Sequence, residues 1–172
     1  MTIIKSKQFI LRPYKKGDEA PLAKNVNNKD VYRYTLAIPY PYNLKDAKEW
    51  IKHCMSLDKK TKKDEINFAI VIGGEVAGGI GLKGINGHKA EIGYWLGKDY
   101  WNKKIMTNAV KLVTNFGFNQ LRLKRIYALV FSPNKASKKV LDKNEYKQEG
   151  IMRKYEDKDG KLMDTLIYAK VR

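Results

Sequence analysis

One cysteine, Cys54, and two histidines, His53 and His88, are the only thiol and imidazole groups in this chain of 172 residues. A lone thiol excludes an intramolecular disulfide, and no Cys/His cluster has the spacing of a structural zinc site, so no metal is expected. Cys54 falls with Trp50, Ile51 and Leu57 on the apolar side of an expected helix and reads as a buried structural thiol. His53 and His88 have no partners at ligand spacing and read as surface residues. Long apolar runs are missing as well; none approaches the ~20 residues that span a bilayer. The stretch MTIIKSKQFILRPY has neither the apolar region nor the small-residue cleavage site of a signal peptide. A cytoplasmic protein without a membrane partner is expected. Linkers, internal repeats and low-complexity tracts are also lacking, so residues 1–172 are expected to form a single domain with a real core.

Acidic residues are scarce beside basic ones: 18 Asp and Glu against 35 Lys and Arg leave a net charge of +17. Such a field attracts polyanions, including a phosphorylated cofactor, RNA or ribosomes. It disfavours small polycations unless a local acidic pocket overrides it. Lysines outnumber arginines 29 to 6 and are spread over the whole chain, a pattern of solubility in which specific nucleic-acid binding is not expected. The dense cluster Lys59-Lys60-Thr61-Lys62-Lys63 reads as a solvated loop.

Apolar spacing supplies the elements. Phe9 to Pro13 reads as a strand, and Asp18 can cap a helix running to about Asn25. A short helix starts near Asp30, two prolines make Ile38 to Tyr42 irregular, and a longer helix opens at Asn43 or Leu44. Three strands follow, near 67–72, 76–82 and 90–96, the first two joined by Gly73-Gly74 as a tight hairpin turn. After a helix beginning near Ile105 come a strand at 125–130, a helix from Asn134 to Asn144, and two strands near 146–153 and 162–171. That order implies an α+β fold with one mixed sheet.

The stretch EIGYWLGKDYWNKKIMTNAVKLVTNFGF, Glu91 to Phe118, organises the rest. A β-rich segment passes through a polar loop into an amphipathic helix with Ile105, Ala109, Leu112, Val113 and Phe116 on one face. A helix N-terminus reached in this way presents unpaired N–H groups and a positive dipole end to the loop, and Lys103 and Lys104 add charge. The expected ligand is a polyphosphate.

The runs GGIGLKGI, HKAEIGYWLGKDYW, IMTNAVKLV and SPNKAS resemble, in order and spacing, the GNAT superfamily of acetyl-CoA-dependent N-acetyltransferases. Within it the chain is most similar to the branch that acetylates ribosomal-protein N-termini at alanine or serine. The resemblance covers nearly the whole chain. It implies a central mixed, mostly antiparallel six- to seven-stranded sheet flanked by helices, with acetyl-CoA as co-substrate. It also implies a protein or peptide N-terminal α-amine as acceptor, possibly on the ribosome, direct attack in a ternary complex, and a monomer or homodimer. The superfamily's pyrophosphate loop reads Gln or Arg, two residues, Gly, one residue, then Gly or Ala, often with an extra Gly in second place. Trp101, Asn102, Lys103, Lys104, Ile105 and Met106 occupy those positions here, so Asn102 and Lys104 replace both glycines.

Carried over residue by residue, the cofactor would be held by Trp95, Leu96, the loop from Trp101 through Thr107, Asn134 and Ser137. A backbone N–H at the end of the strand near Tyr94 to Gly97 would polarise the thioester carbonyl. The tyrosine that protonates the leaving thiolate in many members maps to Leu141, and Ser137 is the candidate replacement. Ser132, Asn134 and Ser137 could equally serve only to cap their helix. Glu91 and Glu156 compete as general base with an ordered water. Arg33, Tyr34, Tyr40 and Tyr94, with Tyr32 and Tyr42 nearby, are candidates for the acceptor groove or for packing under a long loop. Two rival readings remain at this level: a CoA-binding module weakened by the lost glycines, and a basic ribosome- or RNA-associated protein on the same scaffold.

Overall fold

Glycines 73 and 74 both take positive φ, 59° and 89°, and close a hairpin in the middle of the sheet. Its arms are β3 (Glu65–Ile72) and β4 (Glu75–Asn86), and β5 (Lys89–Leu96) returns alongside β4. The computed structural model describes residues 2–57, 60, 61 and 63–172. Two short strands, β1 (Ile4–Lys5) and β2 (Ile10–Arg12), extend the meander on its outer side. Past β5 lie β6 (Arg125–Phe131), β7 (Lys147–Lys158) and β8 (Lys161–Val171). The order across the sheet is β1-β2-β3-β4-β5-β6-β8-β7, and β5·β6 is its parallel pair.

Helices cover both faces. On one side α4 (Ile105–Asn119) and α5 (Lys135–Asp142) pack with Ile92, Leu96, Ile126, Ala128, Leu166 and Tyr168. On the other, α1 (Glu19–Val26), α2 (Lys29–Arg33) and α3 (Leu44–Leu57) close over Tyr14, Ala69, Val71 and Val76. Period-two alternation therefore sends successive residues of each central strand to different cores. Cys54 is buried on α3, while His53 and His88 are exposed. Among the described residues no helix is long and apolar enough to cross a membrane.

The sheet has eight strands rather than six or seven, because the two-residue β1 pairs with β2 and is too short to show a pattern of its own. Asp18 occupies the N-cap position of α1, but its side chain makes no cap. Both carboxylate oxygens instead accept from Arg12 at 2.7 Å, and a charge-assisted, bidentate bond outcompetes a single backbone amide. α5 ends at Asp142, short of Asn144, which is buried and donates to Thr107 O and Val140 O, joining α5 to α4. Of the lysine cluster, Lys60, Thr61 and Lys63 are exposed, and Lys59 and Lys62 lie outside the described residues.

Candidate active site

Beyond Leu96 one tight helical turn, Lys98–Tyr100, leads to Trp101, whose indole N–H returns to Leu96 O at 2.8 Å. Lys98 meets the Asp30 carboxylate at 2.7 Å, tying the loop to α2 and holding that carboxyl below its ordinary range. Gln8 donates to Lys103 O and accepts from Asn108. Between these anchors Asn102 and Lys104 both sit at φ 60°. The backbone thus makes the left-handed turns that glycine would make at no steric cost, at about 1–2 kcal/mol for an ordinary residue and less for Asn. Lys104 is the N-cap of α4 and offers no side-chain cap, and no acid occupies the first turn. The leading amides of α4 are left to a ligand or solvent, at the positive end of a helix of 15 residues. Ile105 and Met106 are buried, so they present main chain alone, while Asn102, Lys103 and Lys104 are exposed around it.

The parallel pairing of β5 with β6 runs only from Lys89↔Arg125 to Glu91↔Tyr127. β5 nevertheless continues beside β4 to Leu96, and β6 beside β8 to Phe131. From Ile92 onward the two facing edges part, and the main chain of β5 has a strand on one side only. On the helix side of this gap the Tyr94 hydroxyl lies 2.7 Å from Ser137 Oγ, and either oxygen can donate. Ser137 N donates in turn to Asn134 Oδ1, the N-cap of α5. Burial pushes the Tyr94 phenol well above its ordinary pKa, with the Ser137 bond pulling the other way. Leu141 is fully buried in the core.

On the opposite face the gap opens into a cleft of about 640 Å³ between α3, the segment 34–39 and the sheet. Glu91, Glu156, Tyr34, Tyr94 and Trp95 border it, as does Tyr42, whose buried phenol is pushed up to about 12. Arg33 and Tyr40 are outside it: Arg33 is exposed, and the Tyr40 ring stacks on Tyr32 at 5.5 Å. Lys158 caps that pair, with its ammonium 3.4 Å from the Tyr32 ring centre. Glu91 is paired with Lys83 at 3.0 Å. Glu156 follows a register shift between Met152 and Glu156, and that irregularity aims it at the cleft without an ion-pair or hydrogen-bond partner among the described residues.

Asp46, Glu49, Glu65 and Thr165 also line the cleft. Sequence reading missed all four. Glu65 and Asn67 alternate along β3 on the cleft face, and Asp46 and Glu49 lie on α3, where they read as ordinary surface charge. Gly79 of β4 belongs to the same wall; a Cβ there would stand 2.4 Å from the Tyr14 hydroxyl and 2.5 Å from Trp95 Nε1.

A family model described as Acetyltransferase (GNAT) domain matches residues 8–147, most of the chain. The chain belongs to the GNAT acetyltransferase family. An uncharacterized N-acetyltransferase, p20, of Bacillus licheniformis is 28% identical over 100% of this GNAT chain and 97% of its own length. The spermidine N(1)-acetyltransferase of Escherichia coli K12 is 28% identical over 81% of this chain and 73% of its own. In fold the chain is similar to the ribosomal L7/L12 α-N-protein acetyltransferase RimL in complex with coenzyme A. There the TM-score is 0.89 and identity 22%, covering 99% of this chain and 98% of that one. A divided β5–β6 pair and a helix N-terminus behind it are thus placed in a GNAT acetyltransferase.

Proposed function

We propose that this acetyltransferase moves an acetyl group from acetyl-CoA to the α-amine of a protein or peptide by direct attack in a ternary complex. The observation that carries this reading is the end of β5–β6 pairing at Glu91↔Tyr127, which leaves a slot between a phosphate-ready helix terminus and an open cleft. The amides at the start of α4 and the Lys103 and Lys104 ammoniums hold the diphosphate. The pantetheine arm lies along the free edge of β5, where a backbone N–H near Trp95 and Leu96 polarises the thioester carbonyl. Thr107, half-buried one turn into α4, and Asn134 at the head of α5 complete the cofactor contacts.

An α-amine has a pKa of roughly 8, so a modest base makes it nucleophilic near neutrality. Glu156, unpaired among the described residues and bordering the cleft, takes the ammonium proton directly or through one water. Glu91 is neutralised by Lys83 and orients the amine instead. The amine nitrogen bonds to the carbonyl carbon and gives its second proton to water as it becomes an amide, the carbon–sulfur bond breaks, and Ser137, backed by the Tyr94 hydroxyl at 2.7 Å, passes a proton to the departing thiolate and regains one from solvent. The similarity in fold to RimL supports an α-amine acceptor, and the spermidine-acetylating relative keeps small amines as the second reading.

Calorimetry with acetyl-CoA should give micromolar or tighter binding, and mass spectrometry should find acetyl on the α-amine of peptides beginning with alanine or serine. Failure of saturating acetyl-CoA to bind or to raise the melting temperature would remove the reading.

A further inference from the structure

The cleft has the opposite charge to the protein that contains it. Asp46, Glu49, Glu65, Glu91 and Glu156 line it, five of the chain's 18 acids. Of its 35 lysines and arginines, Lys83 is the one found among the described lining residues, with His53 as the remaining basic group. Lys83 is committed to Glu91 at 3.0 Å and His53 lies 3.2 Å from Glu65. Asp46 accepts from Asn43 N at the start of α3, and Glu49 has no partner among the described residues. Among the described residues Asp46, Glu49 and Glu156 are therefore left without counter-charge, and Glu49 and Glu156 without any hydrogen bond as well. Acids gathered on a surface need no ligand to explain them, but a second feature of this cleft does. The Thr165 hydroxyl, on a residue 1% exposed, has no hydrogen-bond partner among the described residues, and Thr165 pairs in register with Phe131 of the same wall. A buried hydroxyl without a partner costs free energy unless a ligand group meets it.

We infer that the acceptor carries a second positive charge besides its reacting amine. The amine is presented at Glu156 and Glu91, beside the gap, and Thr165 accepts one of its N–H hydrogens. The second cation is received at the α3 side by Glu49, Glu65 and Asp46. This rests on the cleft being the acceptor site, as proposed above. Positive potential over the rest of the surface repels such an acceptor, so the cleft selects it by local pairing and not by long-range steering. The shared chemistry is a primary amine with a further ammonium or guanidinium, supplied either by a basic residue near a peptide N-terminus or by a small polyamine.

A matched pair of peptides tests this: one beginning Ala-Lys, the other Ala-norleucine, which share the four-carbon chain at the second residue and differ in its terminal ammonium. The Lys peptide should show about tenfold higher kcat/KM, and Glu49→Gln should shrink that ratio at least threefold. 1,4-Diaminobutane against butylamine makes the same comparison for small amines, and whichever cationic member is turned over faster identifies the source. Affinity for the CoA-bound protein, read by calorimetry, gives a second measure that needs no turnover. Equal affinities within both pairs, or a charge preference unmoved by Glu49→Gln, overturn the inference. Turnover of neither peptide with charge-selective binding intact removes the α-amine reading and leaves this one standing.

Discussion

The two ends of the slot use opposite electrostatics. At the cofactor end, the strained loop at Asn102 and Lys104 and the bare N-terminus of α4 present main-chain N–H groups and lysines to an anion. At the end proposed for the acceptor, side-chain carboxylates from α3, β3, β5 and β7 converge on a cleft in a chain of net charge +17. In the proposed reaction main chain would serve the invariant part, because a diphosphate needs only N–H geometry. The acceptor end relies on side chains, which can change without altering the backbone. A stretch of β5 from Ile92 to Leu96 separates the two, and its alternation points Tyr94 toward α5 and Trp95 toward the cleft wall.

Breaking the acceptor end should cost most. Glu156→Gln keeps the size of the side chain and removes its basicity; kcat/KM should fall about 100-fold or more while calorimetric affinity for acetyl-CoA stays within twofold. A similar loss from Glu91→Gln with Glu156→Gln nearly silent would exchange the two roles.

On the other face, Ser137→Ala should lower kcat about tenfold and also destabilise the fold by ~1–3 kcal/mol, because the buried Tyr94 hydroxyl loses its partner. Urea denaturation separates these effects: adding Tyr94→Phe to Ser137→Ala should recover part of the stability and none of the rate. Gly79→Ala should cost ~1–3 kcal/mol by forcing the Tyr14 hydroxyl and the Trp95 indole apart, measured the same way.

The smallest effect sharpens the cofactor end. Lys104→Gly relieves a left-handed φ yet removes a cation, so two readouts should move in opposite directions. Stability should rise by ~0.5 kcal/mol, the αL relief less glycine's extra chain entropy, and acetyl-CoA affinity at low salt should weaken about threefold. Tighter binding would mean that the lysine side chain obstructs the loop.

Much of the fold was legible because it rests on periodicity. The Gly73-Gly74 hairpin, the apolar stripe of α4 and the break at Ile38 to Tyr42 are local events, and all appear where the residues imply. Two errors had a common origin. Asp18 was assigned to the nearest amide and Asn144 to the helix beside it, whereas each is held by a group brought in by folding, Arg12 for one and the Thr107 carbonyl for the other. In the site, Glu91, Glu156, Ser137 and the loop from Trp101 to Thr107 were named from resemblance, but their relations were not visible. Nothing along the chain says that Tyr94 and Ser137, 43 residues apart, share a hydrogen bond.

From its residues alone this chain determined a strand, a basic loop and an amphipathic helix in succession, and with them an uncapped helix start, because dipoles and hydrogen-bond donors there are consequences of local backbone geometry. Tertiary structure decided the rest. Only the sheet order parts β5 from β6, and only the closure of α3 over the sheet gathers scattered acids into one cleft. Both depend on contacts between residues far apart in the chain, which no local pattern of residues encodes.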